Sequence, residues 1–191
     1  MIISFAQFSW GNSFVLPDSI KVVSTKKVEH FKFRDIQGEQ YTSGQNIQVF
    51  VFLDTECPIS QRYTSYLQEL SVKFQQSDIS FFGIFPTANT HEDDLRAFGI
   101  KYNLSIPFVV DKFHHLTKIL DATATPEVFV LGKNHEILYQ GMIDNKYYDL
   151  GKSRNQASEF YLLNALEAIL KNQKPQIPYI QAIGCDIERI Q

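Results

Sequence analysis

Cys57 and Cys185 are the two cysteines of this 191-residue chain. Cys57 stands in Asp54-Thr55-Glu56-Cys57-Pro58-Ile59-Ser60, between an apolar run and a segment of helical periodicity. That context places Cys57 at a helix N-cap and Pro58 at the first helical position, where a fixed φ helps and a missing N–H costs nothing. A thiolate there faces the unpaired N–H groups of the first turn and the positive end of the helix dipole. Both favour S⁻ over SH, which is how a nucleophilic cysteine is made. Asp54 and Glu56 oppose it by like-charge repulsion unless they point away. The plainer reading is a cysteine that merely occupies the turn. Ser60 can donate a hydrogen bond to the Cys57 sulfur but cannot close a disulfide.

Cys185 lies in Ile183-Gly184-Cys185-Asp186, close to the C-terminus. On a tail that reaches back to the helix start it could attack a disulfide made by Cys57. Pro175 and Pro178 stiffen that tail, and Gly184 offers one flexible joint. Equally, the segment could simply pack an apolar edge. Two cysteines are too few for a thiolate zinc site or a disulfide-stapled scaffold. His114 and His115 point about 100° apart on a helix, so with His91 they read as surface histidines and not as metal ligands. Nothing matches a phosphate loop or dinucleotide fingerprint, and no cofactor is expected.

The elements that must position these groups follow from periodicity. Short strands are expected at 19–23 and 30–35, with a turn at Gln37-Gly38-Glu39. The apolar run 47–55 reads as a strand buried on both faces. Ile59, Tyr63, Tyr66, Leu67, Leu70 and Phe74 then mark an amphipathic helix over 58–75. A second buried strand at 79–86 completes a βαβ crossover with parallel strands. A helix at 91–103 follows, opened by Glu92-Asp93-Asp94, then a strand at 106–111 and a short helix at 112–121. A hairpin turns through Gly132-Lys133-Asn134, residues 143–157 read as loop, and a last helix over 158–172 is expected to bury Phe160, Leu163, Leu166 and Leu170. The tail from 173 is expected to run over the surface. This order makes an α/β domain with helices covering a mixed sheet, with an arm at 1–27 carrying a short strand, a domain at 28–172 and a tail at 173–191 carrying Cys185.

Composition excludes several classes. Lys+Arg 18 against Asp+Glu 21 leaves no basic field for nucleic acid. No apolar stretch approaches the roughly 18 residues that span a bilayer. Sixteen Phe and nine Tyr point to an aromatic-rich core. The apolar N-terminus lacks the basic segment of a signal peptide, and reads as a structured arm or a degraded signal.

Ala124-Thr125-Pro126 opens the first strand of the hairpin, far along the chain from Cys57. With DTECPIS, TATPEVFVLG, YQGMID and IGCDI, residues 28–172 resemble the thioredoxin-like superfamily, in its redoxin branch of alkyl hydroperoxide reductase/thiol-specific antioxidant proteins. The resemblance implies a thioredoxin-like fold with a central mixed sheet, N-terminal strands and a C-terminal tail. It also implies a cis Thr125–Pro126 bond beside Cys57, and thiol-disulfide chemistry. Cys57 would be the nucleophile, and Cys185 would resolve. Pro58, Ser60, Thr125 and Pro126 would shape a groove for a protein or small-molecule disulfide, with an external reductant closing the cycle and an extracytoplasmic, periplasmic setting. Two departures matter. Position 60 is serine where dithiol thioredoxins carry a second cysteine. The peroxidase pattern Pro-x-x-x-Thr-x-x-Cys meets Phe50 and Asp54 instead. A thiol peroxidase and a catalytically silent binding module therefore stand as alternatives to an oxidoreductase.

Overall fold

The computed structural model describes residues 26–87 and 89–188, so the strand expected at 19–23 lies outside the described residues. The strands are β1 (Lys32–Arg34), β2 (Gln40–Thr42), β3 (Ile47–Phe52), β4 (Ile79–Phe85), β5 (Phe108–Val110), β6 (Ala124–Thr125), β7 (Glu127–Leu131), β8 (Ile137–Gly141), β9 (Tyr147–Asp149), β10 (Lys152–Ser153), β11 (Tyr179–Ile180) and β12 (Cys185–Asp186). The helices are α1 (Pro58–Lys73), α2 (Glu92–Tyr102), α3 (His115–Leu120) and α4 (Tyr161–Leu170). No helix among the described residues is long and apolar enough to cross a membrane.

The central sheet has the order β11-β8-β7-β3-β4-β5. β3 pairs parallel with β4 and antiparallel with β7, so Phe50 lies opposite both Phe82 and Phe129. The α1 crossover makes the first pairing parallel, and the tight turn after β7 makes the β7–β8 pairing antiparallel. Because side chains alternate along a strand, β3 feeds two cores. Val49, Val51 and Leu53 join Leu67 and Leu70 of α1, Leu95 and Phe98 of α2, and Leu162 and Leu166 of α4. Phe50 and Phe52 join Phe31, Phe33, Leu116 and Leu120 on the opposite face. Burial on both faces is why 47–52 reads as an uninterrupted apolar run.

Four expectations need correction. The segment 143–157 carries the small antiparallel pair β9–β10 and is not wholly loop. Helix α4 begins three residues later than expected, with Phe160 as its N-cap, and buries Leu162, Ala165, Leu166 and Ile169. Phe160 and Leu170 are exposed, and Leu163 is half-buried. YLLNALEAIL is apolar nearly all round, so periodicity could not choose its face. His114 is buried, adopts φ 55 before α3, and places Nε2 2.6 Å from the Pro86 carbonyl oxygen. His91 and His115 are exposed, as expected. Finally, the tail does not merely cross the surface. β11 extends the central sheet beside β8, and β12 pairs antiparallel with β6.

Asp111, at the end of β5, supplies the start of α3. Its carboxylate accepts the Leu116 N–H at 3.1 Å, the Thr117 N–H at 2.8 Å and the Thr117 hydroxyl at 2.7 Å, all buried. Asp111→Ala leaves these donors without that acceptor. It should cost about 1–3 kcal/mol in urea denaturation. Asp111→Asn, which keeps a carbonyl oxygen, should recover part of that loss.

Candidate active site at the start of α1

β3 is the strand from which the site projects. It ends at Phe52, and the chain turns through Asp54 and Glu56 before α1 starts at Pro58. The Asp54 carboxylate fixes the turn by accepting the Glu56 N–H at 2.7 Å and the Thr87 hydroxyl at 2.9 Å. Glu56 is exposed and Asp54 is committed to these donors, which answers the repulsion expected from the sequence. Cys57 sits at the N-cap with an extended backbone, and Pro58 occupies the first turn, exposed.

The Cys57 side chain is 2% exposed. As a thiol it donates to the Thr125 carbonyl oxygen at 3.1 Å and makes no cap hydrogen bond. As a thiolate it is the acceptor of a cluster. Burial is the largest single influence and opposes ionisation. Against it stand the Cys185 thiol, the Ser60 backbone N–H and hydroxyl, and the Cys185 backbone N–H. Together they hold the Cys57 pKa below the ordinary cysteine value. Ser60 is fully buried, and its hydroxyl also accepts the Asp54 N–H at 3.3 Å, which orients it.

Cys185 behaves in the opposite way. Burial first, then its hydrogen bond to Cys57, the Cys57 charge, and the Asp54 and Asp186 carboxylates raise its pKa to about 12. Two neighbouring thiols cannot both ionise cheaply, so one becomes the anion and the other its donor. The fold assigns the anion to Cys57.

The Thr125–Pro126 peptide bond is cis. Thr125 and Pro126 are both buried. β12 lies against β6 with Cys185 opposite Thr125 and Asp186 opposite Ala124, and the Thr125 hydroxyl donates to the Cys185 carbonyl at 3.4 Å. Of the six residues singled out in the sequence, Cys57, Ser60, Thr125, Pro126 and Cys185 converge here, and Pro58 starts the helix beside them.

Sequence reasoning missed one contributor and misjudged another. Glu127 is buried directly after Pro126. Its carboxylate accepts the Thr123 N–H at 2.7 Å, the Ala124 N–H at 3.3 Å and the Gln140 side-chain amide at 3.0 Å, so it holds the bend into β6. A charged residue opening an otherwise apolar strand was the available signal. Gly184 was expected to act as a flexible joint. It is needed instead for close approach, because a Cβ there would overlap the Thr125 carbonyl oxygen and lie 2.6 Å from the carbonyl carbon. Among the described residues, no three His, Cys, Asp or Glu side chains gather as metal ligands.

Comparison with known proteins agrees with this geometry. The AhpC/TSA family model matches residues 20–140, and the chain belongs to that family. No curated protein matches the chain. Among solved structures, a hypothetical protein of Sinorhizobium meliloti superposes with a TM-score of 0.75 at 17% identity, over 89% of this chain and 96% of that one. A putative thiol:disulfide interchange protein DsbE of Chlorobium tepidum gives 0.54 at 12% identity, over 63% and 85%. StoA of Bacillus subtilis gives 0.53 at 18% identity, over 60% and 87%. At these identities the likeness concerns the fold, which is thioredoxin-like.

The opposed shifts predict two well-separated ionisations by thiolate absorbance near 240 nm. Cys57 titrates below an ordinary cysteine, and Cys185 close to 12. Ser60→Ala and Cys185→Ala each remove a side-chain donor to the anion. The first midpoint should move up in both variants, so the thiolate appears at higher pH. A first midpoint unmoved in both would remove these donors from the account.

Proposed function

We propose that this AhpC/TSA-family protein is a thiol-disulfide oxidoreductase in which Cys57 is the nucleophile and Cys185 resolves. The observation that carries this reading is the convergence of both cysteines on Thr125 at a helix start, Cys57 by its hydrogen bond to the Thr125 carbonyl and Cys185 as the strand partner of Thr125, with pKa shifts in opposite directions. The Cys57 thiolate attacks one sulfur of a substrate disulfide, and the other substrate sulfur leaves as a thiolate. The mixed disulfide carries no charge at Cys57. This removes two of the causes that raise the Cys185 pKa, the hydrogen bond to Cys57 and the Cys57 charge. Cys185 then ionises more readily and attacks the Cys57 sulfur, releasing the second substrate thiol. The substrate disulfide is reduced by two electrons, and the protein is left with a Cys57–Cys185 disulfide. A dithiol reductant from outside returns it to the starting state.

This order uses the anion first at Cys57 and only later at Cys185, so the pair is not idle before substrate arrives. The printed name of the Chlorobium tepidum neighbour, thiol:disulfide interchange protein, fits the same class. Protein disulfides are the proposed substrates. The proposed setting is extracytoplasmic, in the bacterial periplasm, where disulfides persist. The thiol peroxidase alternative has a carboxylate, Asp54, where the peroxidase pattern places a threonine hydroxyl, and that carboxylate is bound to Thr87 and Glu56.

Oxidant should convert the protein to a monomeric species of faster non-reducing gel mobility, with a Cys57–Cys185 link on peptide mapping. Cys57→Ser should abolish disulfide reduction in a folded protein, and Cys185→Ser should accumulate Cys57 adducts. Both thiols free after oxidation, or full activity in Cys57→Ser, would overturn the assignment. Faster consumption of hydrogen peroxide than of a protein disulfide would select the peroxidase.

A further inference from the structure

In the reduced protein the tail and any incoming chain compete for one place. β6 has β12 as its strand partner in a sheet of two strands. The Ile187 N–H donates to the Thr123 carbonyl at 2.9 Å, which continues the pairing past Asp186. Ile183 and Cys185 pack on the same apolar cluster that contains Cys57. With Cys57 2% exposed, a disulfide carried by another molecule cannot reach the sulfur until this segment lifts. Lifting it uncovers a strand edge of unpaired backbone groups beside a thiolate, and such an edge accepts an extended chain.

The edge also sets a steric condition. Gly184 lies on the Thr125–Pro126 peptide plane, where a Cβ would overlap the Thr125 oxygen and sit 2.6 Å and 3.0 Å from the Thr125 carbonyl carbon and the Pro126 nitrogen. These are backbone atoms and cannot swing aside. An occupant that delivers its sulfur to Cys57 in the register of the tail meets the same wall.

We infer that the site selects an extended polypeptide segment with glycine immediately before its cysteine, paired to β6 in the place of β12. This rests on Cys57 being the nucleophile. The Cys57 thiolate forms a bond to the cysteine sulfur of the incoming Gly-Cys segment, and the sulfur to which that cysteine was bonded leaves as a thiolate. The tail then re-enters the same edge, and Cys185 attacks the Cys57 sulfur while the segment departs with a free thiol. Because both chains need β6, resolution and product release are one exchange of strands. The tail thereby serves as a tethered stand-in that shields the thiolate between turnovers.

The test separates docking from chemistry. In the full-length Gly184→Ala chain, iodoacetamide should alkylate Cys57 at least tenfold faster than in wild type. The peptide Ile-Gln-Ala-Ile-Gly-Ser-Asp-Ile, which cannot form a disulfide, should restore protection, and the same peptide with Ala for Gly should not. Independently, Cys185→Ser should release thionitrobenzoate from an Ala-Ile-Gly-Cys-Asp-Ile peptide capped with that group at least tenfold faster than from its Ala-Cys counterpart. An unchanged alkylation rate in a folded Gly184→Ala chain, or measurable release at equal rates from the two capped peptides, would overturn the inference. Protection by the Gly-Ser peptide with no thionitrobenzoate release from either capped peptide would instead sink the nucleophile reading and leave the docking edge standing.

Discussion

The Thr125 carbonyl is the point on which this site depends. Its oxygen accepts the Cys57 thiol at 3.1 Å, its plane is the surface on which Gly184 rests, and its residue is the partner of Cys185 in the β6–β12 pair. Any displacement of Thr125 would move both thiols relative to each other. The fold fixes it from beneath. Glu127 ties Thr123 and Ala124 to its buried carboxylate, and β7 continues from Glu127 into the fully buried centre of the sheet. A rigid strand end and a rigid helix start therefore face each other, and the tail is laid across both.

The same arrangement explains why a buried sulfur can be ionised. Desolvation alone would keep Cys57 neutral, as it does an isolated buried thiol. The helix start supplies the Ser60 backbone N–H and hydroxyl, and the tail supplies the Cys185 thiol and backbone N–H. Half of the stabilising donors thus come from residues far apart in sequence, so the thiolate and the closed tail support each other. Asp54 adds direction, since its charge raises the Cys185 pKa.

Much of the fold was legible in the residues. The short apolar run of β3, the helical stripe of α1 and the turn residues between β7 and β8 were each visible locally. The position of Cys57 followed from Cys-Pro at a strand-to-helix turn. What stayed hidden were features decided by distant contacts. The face of α4 could not be chosen from a segment apolar on every side, and the burial of His114 depends on the Pro86 carbonyl, 28 positions earlier. The β11 and β12 pairings involve two residues each, too short to leave a periodic trace. The glycine of IGCDI looked like a joint because the sequence does not reveal what lies against it.

The central claim is that Cys57 and Cys185 form one two-electron couple within a single chain. Equilibration in redox buffers of graded dithiothreitol ratio, with acid trapping and mass measurement of the chain, tests it most directly. The account predicts a single reversible transition between the dithiol and the internal disulfide, two mass units apart, with a midpoint independent of protein concentration. A midpoint that moves with protein concentration, or a chain that passes only to mixed adducts at Cys57, would contradict it.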